Sequence, residues 1–257
     1  MPPKNEQDQI VQYIKAQEEK INRFIEKKLR FIELLKEQRQ GVINEAITKG
    51  GLNWKTYRLK TIVGSSTNGV WGDEPKDNDE DIYCIRVADI DSLTYGISEN
   101  KLTIRNIETS DQEGRLLNTG DLIIEKSGGG DVSPVGRVVI YNLPYKAVTS
   151  NFMARLNISM EINNEFLYYI FSYLYSGRRN VPSIKATTGI QNLDLYSYLQ
   201  NKVLVPPLEE QKQIVSHIKT ETATIDTAIA KAEREIELIR EYKEAMIAEA
   251  VMGKMKL

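Results

Sequence analysis

Few side chains in this sequence are placed to do covalent chemistry. It holds one histidine, His217, and one cysteine, Cys84, which removes most routes to general-base and nucleophilic catalysis. Asp121, Glu125 and Lys126 have the residue types of a nuclease metal site. Glu125 and Lys126 are adjacent, however, and neighbours on a strand point to opposite faces. Lys126-Ser127-Gly128-Gly129-Gly130 has the wrong order for a phosphate-binding P-loop, in which the Lys-Ser/Thr pair follows the glycines at a helix start. Asn142-Leu143-Pro144-Tyr145 departs at its second position from the Asn-Pro-Pro-Tyr loop used for methyl transfer to an amine. No glycine-rich cofactor loop after a strand accompanies it. The acidic run 74–81 lacks the alternating ligands and glycine turn of a calcium loop and reads as a solvated loop. These near-misses point to a chain that binds and does not react.

The elements that would carry such binding are set by an internal repeat, which is sought first because missing one misreads the fold. Pro2-Pro3 and Glu6-Gln7 recur as Pro206-Pro207 and Glu210-Gln211, and the offset of 204 residues holds without a gap to Ala46 and Ala250. In the second copy Ile218, Thr222, Ile225, Ile229, Ala232, Ile236, Ile239, Lys243, Met246 and Ala250 are spaced alternately by four and three, a heptad seam. In the first copy the same register reads Ile14, Glu18, Ile21, Ile25, Lys28, Ile32, Leu35, Arg39, Val42 and Ala46. No proline interrupts 10–46 or 214–250. Gly50-Gly51 supplies a stop for the first helix, and Pro206-Pro207 before Leu-Glu-Glu marks the start of the second.

A period of 3.5 predicts a left-handed supercoil with another helix. The partner at hand is the other copy, which must run antiparallel with the middle region at one end. Arg39 and Lys243 occupy equivalent seam positions. One reading is that they snorkel to the seam edge; the other is that they fix register or meet carboxylates of a partner. Leu34/Leu238 and Ile43/Ile247 lie off the seam and widen the apolar stripe beyond what one helix pair needs, so further helices from a second copy or another protein are expected. His217, matched by Tyr13 in the first copy, is expected to pack in the helices.

The remaining sequence, 52–205, is long enough for its own core. Cys84, in the strand-like run 82–87, is expected to be buried packing. Strands are expected at 82–90, 102–107, up to Glu125, 136–141, within 147–158 and at 202–205. The spacing of Phe166, Tyr169, Ile170, Tyr173 and Leu174 predicts a core helix over 164–176, ended by Gly177 and two arginines. Residues 126–131 are expected to break regular structure, and 186–193 to form a polar turn. Net charge is −2, but 52–125 carries 8 basic and 14 acidic residues whereas 126–185 carries 7 and 3. A locally positive half on a near-neutral chain is a possible phosphate footprint. No signal peptide or long apolar run is present, so an intracellular, cytoplasmic protein is expected.

These residues together resemble the specificity (S) subunits of type I restriction–modification systems. The resemblance lies in the Pro-Pro-Leu-Glu-Glu-Gln-Lys-Gln-Ile helix start, in 32–40 with 46–50, and in Tyr83-Cys84-Ile85-Arg86, Leu117…Gly120-Asp121, Gly136-Arg137, Ser150-Asn151 and 188–193. It covers nearly the whole chain. It implies an α+β fold: a target-recognition domain at 52–205 flanked by conserved helices at 1–51 and 206–257 that form an antiparallel coiled-coil stalk. Full-length members run domain, helix, domain, helix. This sequence runs helix, domain, helix, and looks like an S subunit with a single recognition domain.

What the resemblance implies is a non-catalytic reader of double-stranded DNA, one half-site per domain. Its helices would dock modification (methyltransferase) subunits and then a restriction subunit, and a homodimer through the helices could read a symmetric site. S-adenosylmethionine and ATP would sit on those partners; no cofactor is expected in this chain. A helix of about 37 residues spans roughly 55 Å, some 16 base pairs of DNA. Within the domain, Lys126, Ser127, Arg178, Arg179 and Lys185 are the phosphate candidates. Arg137, Thr188, Gln191 and Asn192 are the base-edge candidates, since arginine suits guanine and Gln/Asn suit adenine. The plainer alternatives are a structural turn at Gln191-Asn192 and a solvated helix end at Arg178-Arg179. Arg86 and Asp89 are expected to pair with each other. Two other classes stay open: an S-like regulatory protein that binds modification subunits without reading DNA, and a stand-alone enzyme, which the missing loops disfavour.

Overall fold

The computed structural model describes residues 3–91, 96–187 and 189–252. They fall into two compact units: the helix residues up to Gly41 with those from Thr220 on, and Val42–Lys219. Helices α1 (Lys4–Thr48) and α6 (Leu208–Val251) each contribute to both.

In the helical unit the seam sets burial. Ile21, Ile32, Ile225, Ile229, Ala232 and Ile236 are buried, while Ile25, Leu35 and Ile239 are half-buried. The polar seam residues meet across it. Arg39 donates to Asp226 at 2.8 Å, Lys243 pairs with Glu18 at 3.0 Å, and Lys28 pairs with Glu235. Partner numbers fall along α6 as they rise along α1, so the two segments run in opposite directions. Each seam cation is matched to a carboxylate of the other helix, the second of the two expectations above. Off the seam, Leu34 and Leu238 are exposed, as are Phe24, Phe31 and Tyr242.

The second unit is built on short sheets. β1 (Lys55–Arg58) pairs antiparallel with β12 (Lys202–Val205). A four-stranded antiparallel sheet has the order β2 (Val63–Asn68), β9 (Met153–Ile158), β5 (Leu122–Glu125), β7 (Val138–Ile140). A second sheet places β3 (Asp81–Ile85) between antiparallel β4 (Thr103–Asn106) and parallel β8 (Ala147–Thr149). A third has the order β10 (Ile184–Thr187), β11 (Ile190–Leu193), β6 (Ser127–Gly128). Helix α4 (Asn164–Ser176) is capped by the Asn163 side chain, which accepts from the Phe166 N–H. It buries Phe166, Leu167, Ile170, Phe171 and Leu174 in a core with Leu122, Ile124, Leu156, Tyr198 and, from the long helices, Ile43 and Ile218. Short helices α2 (Leu59–Ile62), α3 (Thr109–Gln112) and α5 (Leu195–Tyr198) close turns.

Several expectations need correction. The strand expected at 82–90 stops at Ile85, because the Asp89 carboxylate accepts from the Arg86 N–H at 2.8 Å and folds 87–89 into a 3₁₀ turn. The expected single strand in 147–158 is two, with Ser150-Asn151 in the turn between them. The expected polar turn at 186–193 is a hairpin of two strands, and the glycine run after Lys126 contributes β6 to it instead of breaking structure. Their few side-chain signals are polar, so alternation of apolar residues could not reveal them. His217 does not pack; it is exposed, one position before the seam residue Ile218. The acidic loop is organised around Asp81. Its carboxylate accepts from the backbone N–H groups of Lys76, Asp77 and Asn78 and from the Asn106 amide. Burial pushes its pKa up, and these hydrogen bonds outweigh that and hold it below the usual aspartate value. Cys84 is buried as expected, its thiol pushed up to about 12 by desolvation.

Candidate nucleic-acid interface

Four of the nine candidate contact residues, Ser127, Lys185, Gln191 and Asn192, meet at the third sheet. Strand register puts Lys185 opposite Asn192, and Asn192 opposite Ser127. Two residues of one hairpin and one from a distant stretch therefore form one cross-strand row. Directly paired residues share a face, and the Ser127 hydroxyl donates to Asn192 Oδ1 at 2.7 Å. Lys185 is exposed, and its ammonium reaches Asp194 Oδ2 at 2.8 Å. That bond, with the N-cap bond from the Ser197 N–H, holds the Asp194 carboxyl below its ordinary range. In the next row Gln191 lies opposite Gly128. Gln191 Oε1 accepts from the Val135 N–H at 3.2 Å, tying the hairpin to the loop after the glycines. Lys126 donates to Asn68 Oδ1 at 2.5 Å, and burial pulls its pKa below the usual lysine value.

Arg178 and Arg179 are exposed at the end of α4. Arg178 sits at φ +51, in the left-handed region that favours glycine, and its Nη1 approaches the Asp131 carbonyl at 3.5 Å. The Arg179 N–H returns to the Leu174 carbonyl at 2.9 Å, so the helix ends in the turn that usually carries a glycine where Arg178 stands. Arg137 is placed differently. Its Nε donates to Glu125 Oε2 at 2.9 Å, with the arginine 16% and the glutamate 0% exposed. Desolvation pushes the Glu125 pKa up, against the pull of Arg137. A guanidinium held this way clamps β5 to the start of β7. Thr188 lies outside the described residues.

Beside the row is a cavity of ≈ 410 Å³ lined by Trp71, Arg86, Ser127, Ser150, Asn151 and Phe152, among others. The indole of Trp71 and the ring of Phe152 are 37% and 45% exposed. The Arg105 guanidinium lies 4.6 Å from the Trp71 ring centre and donates to the Trp71 and Gly72 carbonyls. Among the described residues no cluster of three or more His, Cys, Asp or Glu could hold a metal ion, and no helix is long and apolar enough to cross a membrane. The arrangement offers cations, amides, hydroxyls and two aromatic rings, a set suited to phosphates and bases.

Residues 52–238 match the family profile described as type I restriction modification DNA specificity domain. The chain belongs to that family. It is 25% identical over 178 residues to the type I restriction enzyme EcoKI specificity subunit of Escherichia coli (strain K12), covering 69% of this chain and 37% of that protein. It is 24% identical over 204 residues to the StySPI specificity subunit of Salmonella potsdam, covering 78% and 43% respectively. The chain thus spans less than half the length of these relatives. A solved chain from a study of complex assembly and conformational transition of the type I R-M system aligns with TM-score 0.61 and 18% identity, covering 97% of this chain and 60% of that one. This likeness bears on the fold, a mixed α+β arrangement with long helices.

Within this family member, sequence reasoning missed Trp71, Asn151 and Phe152. The run Gly69-Val70-Trp71-Gly72 carried a signal: glycines on both sides of an aromatic imply close backbone approach. A Cβ on Gly69 would lie 2.1 Å from the Thr149 and Ser150 carbonyl oxygens, and one on Gly72 would lie 2.3 Å from that of Asn106. Arg86 pairs with Asp89 as expected, its Nη2 3.0 Å from Asp89 Oδ1. It also lines the cavity.

Proposed function

We propose that this chain is the sequence-reading subunit of a type I restriction–modification assembly. The globular unit reads one half-site of double-stranded DNA, and the helices pair as an antiparallel coiled coil that docks modification subunits. The chain itself carries out no chemistry. S-adenosylmethionine and ATP belong to the partners, the restriction subunit joins the assembly they form, and the complex acts on DNA in the cytoplasm. The single observation that carries the DNA-reading proposal is the Lys185–Asn192–Ser127 row, next to Lys126 in sequence. Cations there would position the backbone, and Gln191 and Asn192 would face base edges. Arg137 enters this proposal as a clamp in place of a base reader, and Thr188, outside the described residues, remains a candidate from the sequence alone.

The docking half rests on the exposed Phe24, Phe31, Leu34, Leu238 and Tyr242. These exposed side chains equally support the alternative of a regulatory protein that binds modification subunits without reading DNA, and a homodimer through the helices. One experiment separates DNA reading from that alternative: affinity of the full chain for a duplex measured against salt. The expected result is a log–log slope that falls by about 1 for each cation removed among Arg178, Arg179 and Lys185. Absence of binding at low salt would leave the regulatory reading.

A further inference from the structure

The cavity beside the row is more than a rim of the reading surface. We propose that it receives a single nucleobase of the DNA, turned out of the helical stack. This rests on the proposal that the unit binds DNA and names a contact which that proposal does not require. At ≈ 410 Å³ the cavity is in the size range of sites for small planar ligands. Its walls are two exposed aromatic rings, and base–aromatic stacking is the sequence-tolerant way to hold an unstacked base.

The platform is pre-set. Arg105 lies over the Trp71 ring and donates to the carbonyls of Trp71 and of Gly72 after it, which holds the indole against the guanidinium. Gly69 crosses the Thr149-Ser150 backbone too closely for any side chain. The Gly69 N–H bonds the Met153 carbonyl at 3.2 Å and the Val70 N–H bonds the Thr149 carbonyl at 2.9 Å, locking the Trp71 loop to the turn that carries Phe152. The Phe152 carbonyl in turn accepts from the Lys126 and Ser127 N–H groups, so the cavity wall and the edge strand of the reading sheet are one structure. Polar groups for a base edge are at hand in Arg86 and Asn151. The Ser150 hydroxyl, 2% exposed on the same wall, is buried without a hydrogen-bond partner. A buried hydroxyl left unsatisfied is costly, and a base edge would supply its partner. A side chain of a protein partner would fit the aromatics, but the adjoining cations and amides favour a ligand attached to phosphates.

The test uses the full chain carrying Trp54→Phe, which leaves Trp71 the sole indole. Trp54 does not line the cavity. Two duplexes of one sequence are compared, fully paired and with one bulged base, whose extrusion costs least. The bulged duplex is expected to bind roughly 5- to 100-fold more tightly and to quench Trp71 emission. Phe152→Ala and, separately, Trp71→Leu, each checked for unchanged circular dichroism, are expected to abolish the preference while keeping affinity for the paired duplex. Equal affinity for both duplexes, with salt-dependent binding intact and no quenching, overturns this inference and leaves DNA reading standing. Quenching by free nucleoside monophosphates without any duplex preference also overturns it, in favour of a small-ligand pocket. Absence of salt-dependent binding to either duplex removes both proposals.

Discussion

Arg137 was expected at a base edge and stands in a buried ion pair, so its removal distinguishes two physical roles. Glu125 is fully buried and Arg137 is 16% exposed. Exposed pairs contribute little, about 0.2–1 kcal/mol, whereas deleting one partner of a buried pair costs about 3–5 kcal/mol because a charge is left without compensation. In a domain of this size 1 kcal/mol moves Tm by about 2–4 °C, so Arg137→Ala should lower Tm by about 6–20 °C near neutral pH. The stranded carboxyl has a way out: it can take up a proton. Burial already raises its pKa above the ordinary value, and removing the arginine raises it further. A raised carboxylate pKa favours the folded state below the unfolded value, and that contribution is lost as pH rises through the folded value. The destabilisation should therefore shrink from pH 8 to pH 5. Glu125→Gln in the Arg137→Ala background should recover part of the loss at pH 8, since a neutral amide is cheaper to bury than a carboxylate. Urea or thermal melts of the three proteins at both pH values give the answer. If Arg137→Ala melts within about 2 °C of the parent at pH 8 while DNA affinity collapses, the clamp assignment is wrong and the arginine is a reader.

Three further outcomes are expected. Arg178→Gly should stabilise the fold by about 1 kcal/mol, because the left-handed backbone penalises a side chain. It should also lower the salt slope of DNA binding by about 1; thermal melts and a salt titration on one preparation measure both. Ile236→Ala, in the helix seam at 5% exposure, should cost about 2–5 kcal/mol, seen as early loss of helical circular dichroism, whereas Lys28→Ala should cost under about 1 kcal/mol. Asp81 has a lowered pKa, so its contribution is present above the unfolded value and lost as pH falls through the folded one. Urea midpoints of the parent should drop more steeply with acid than those of Asp81→Asn, and parallel curves would count against the Asp81-centred loop.

The long helices were legible because heptad spacing is a strong, repeated signal: the seam that begins at Ile218 is the seam that is buried. Helix α4 was legible for the same reason, from apolar periodicity ended by a glycine. The sheet of β10, β11 and β6 was not. β6 is two residues long and glycine-containing, and β11 presents Gln191 and Asn192, so nothing in their local pattern distinguishes them from loops. They become strands through pairing between stretches more than 60 residues apart, a long-range effect that local propensity does not encode. Arg137 illustrates the limit for single residues. Its type suits a guanine edge, but its surroundings are set by Glu125 on the neighbouring strand. Trp71 shows the opposite failure: an aromatic between two glycines was available as a signal, and only the crossing of Gly69 over Ser150 explains why it faces a cavity.

The most direct test of sequence reading is selection from a random-sequence duplex pool with the full chain at moderate salt. Enrichment of one short half-site, weakened by Asn192→Ala or Gln191→Ala while affinity for bulk DNA persists, is the predicted result. A pool that stays random under conditions where the chain binds DNA in a salt-dependent manner would contradict it.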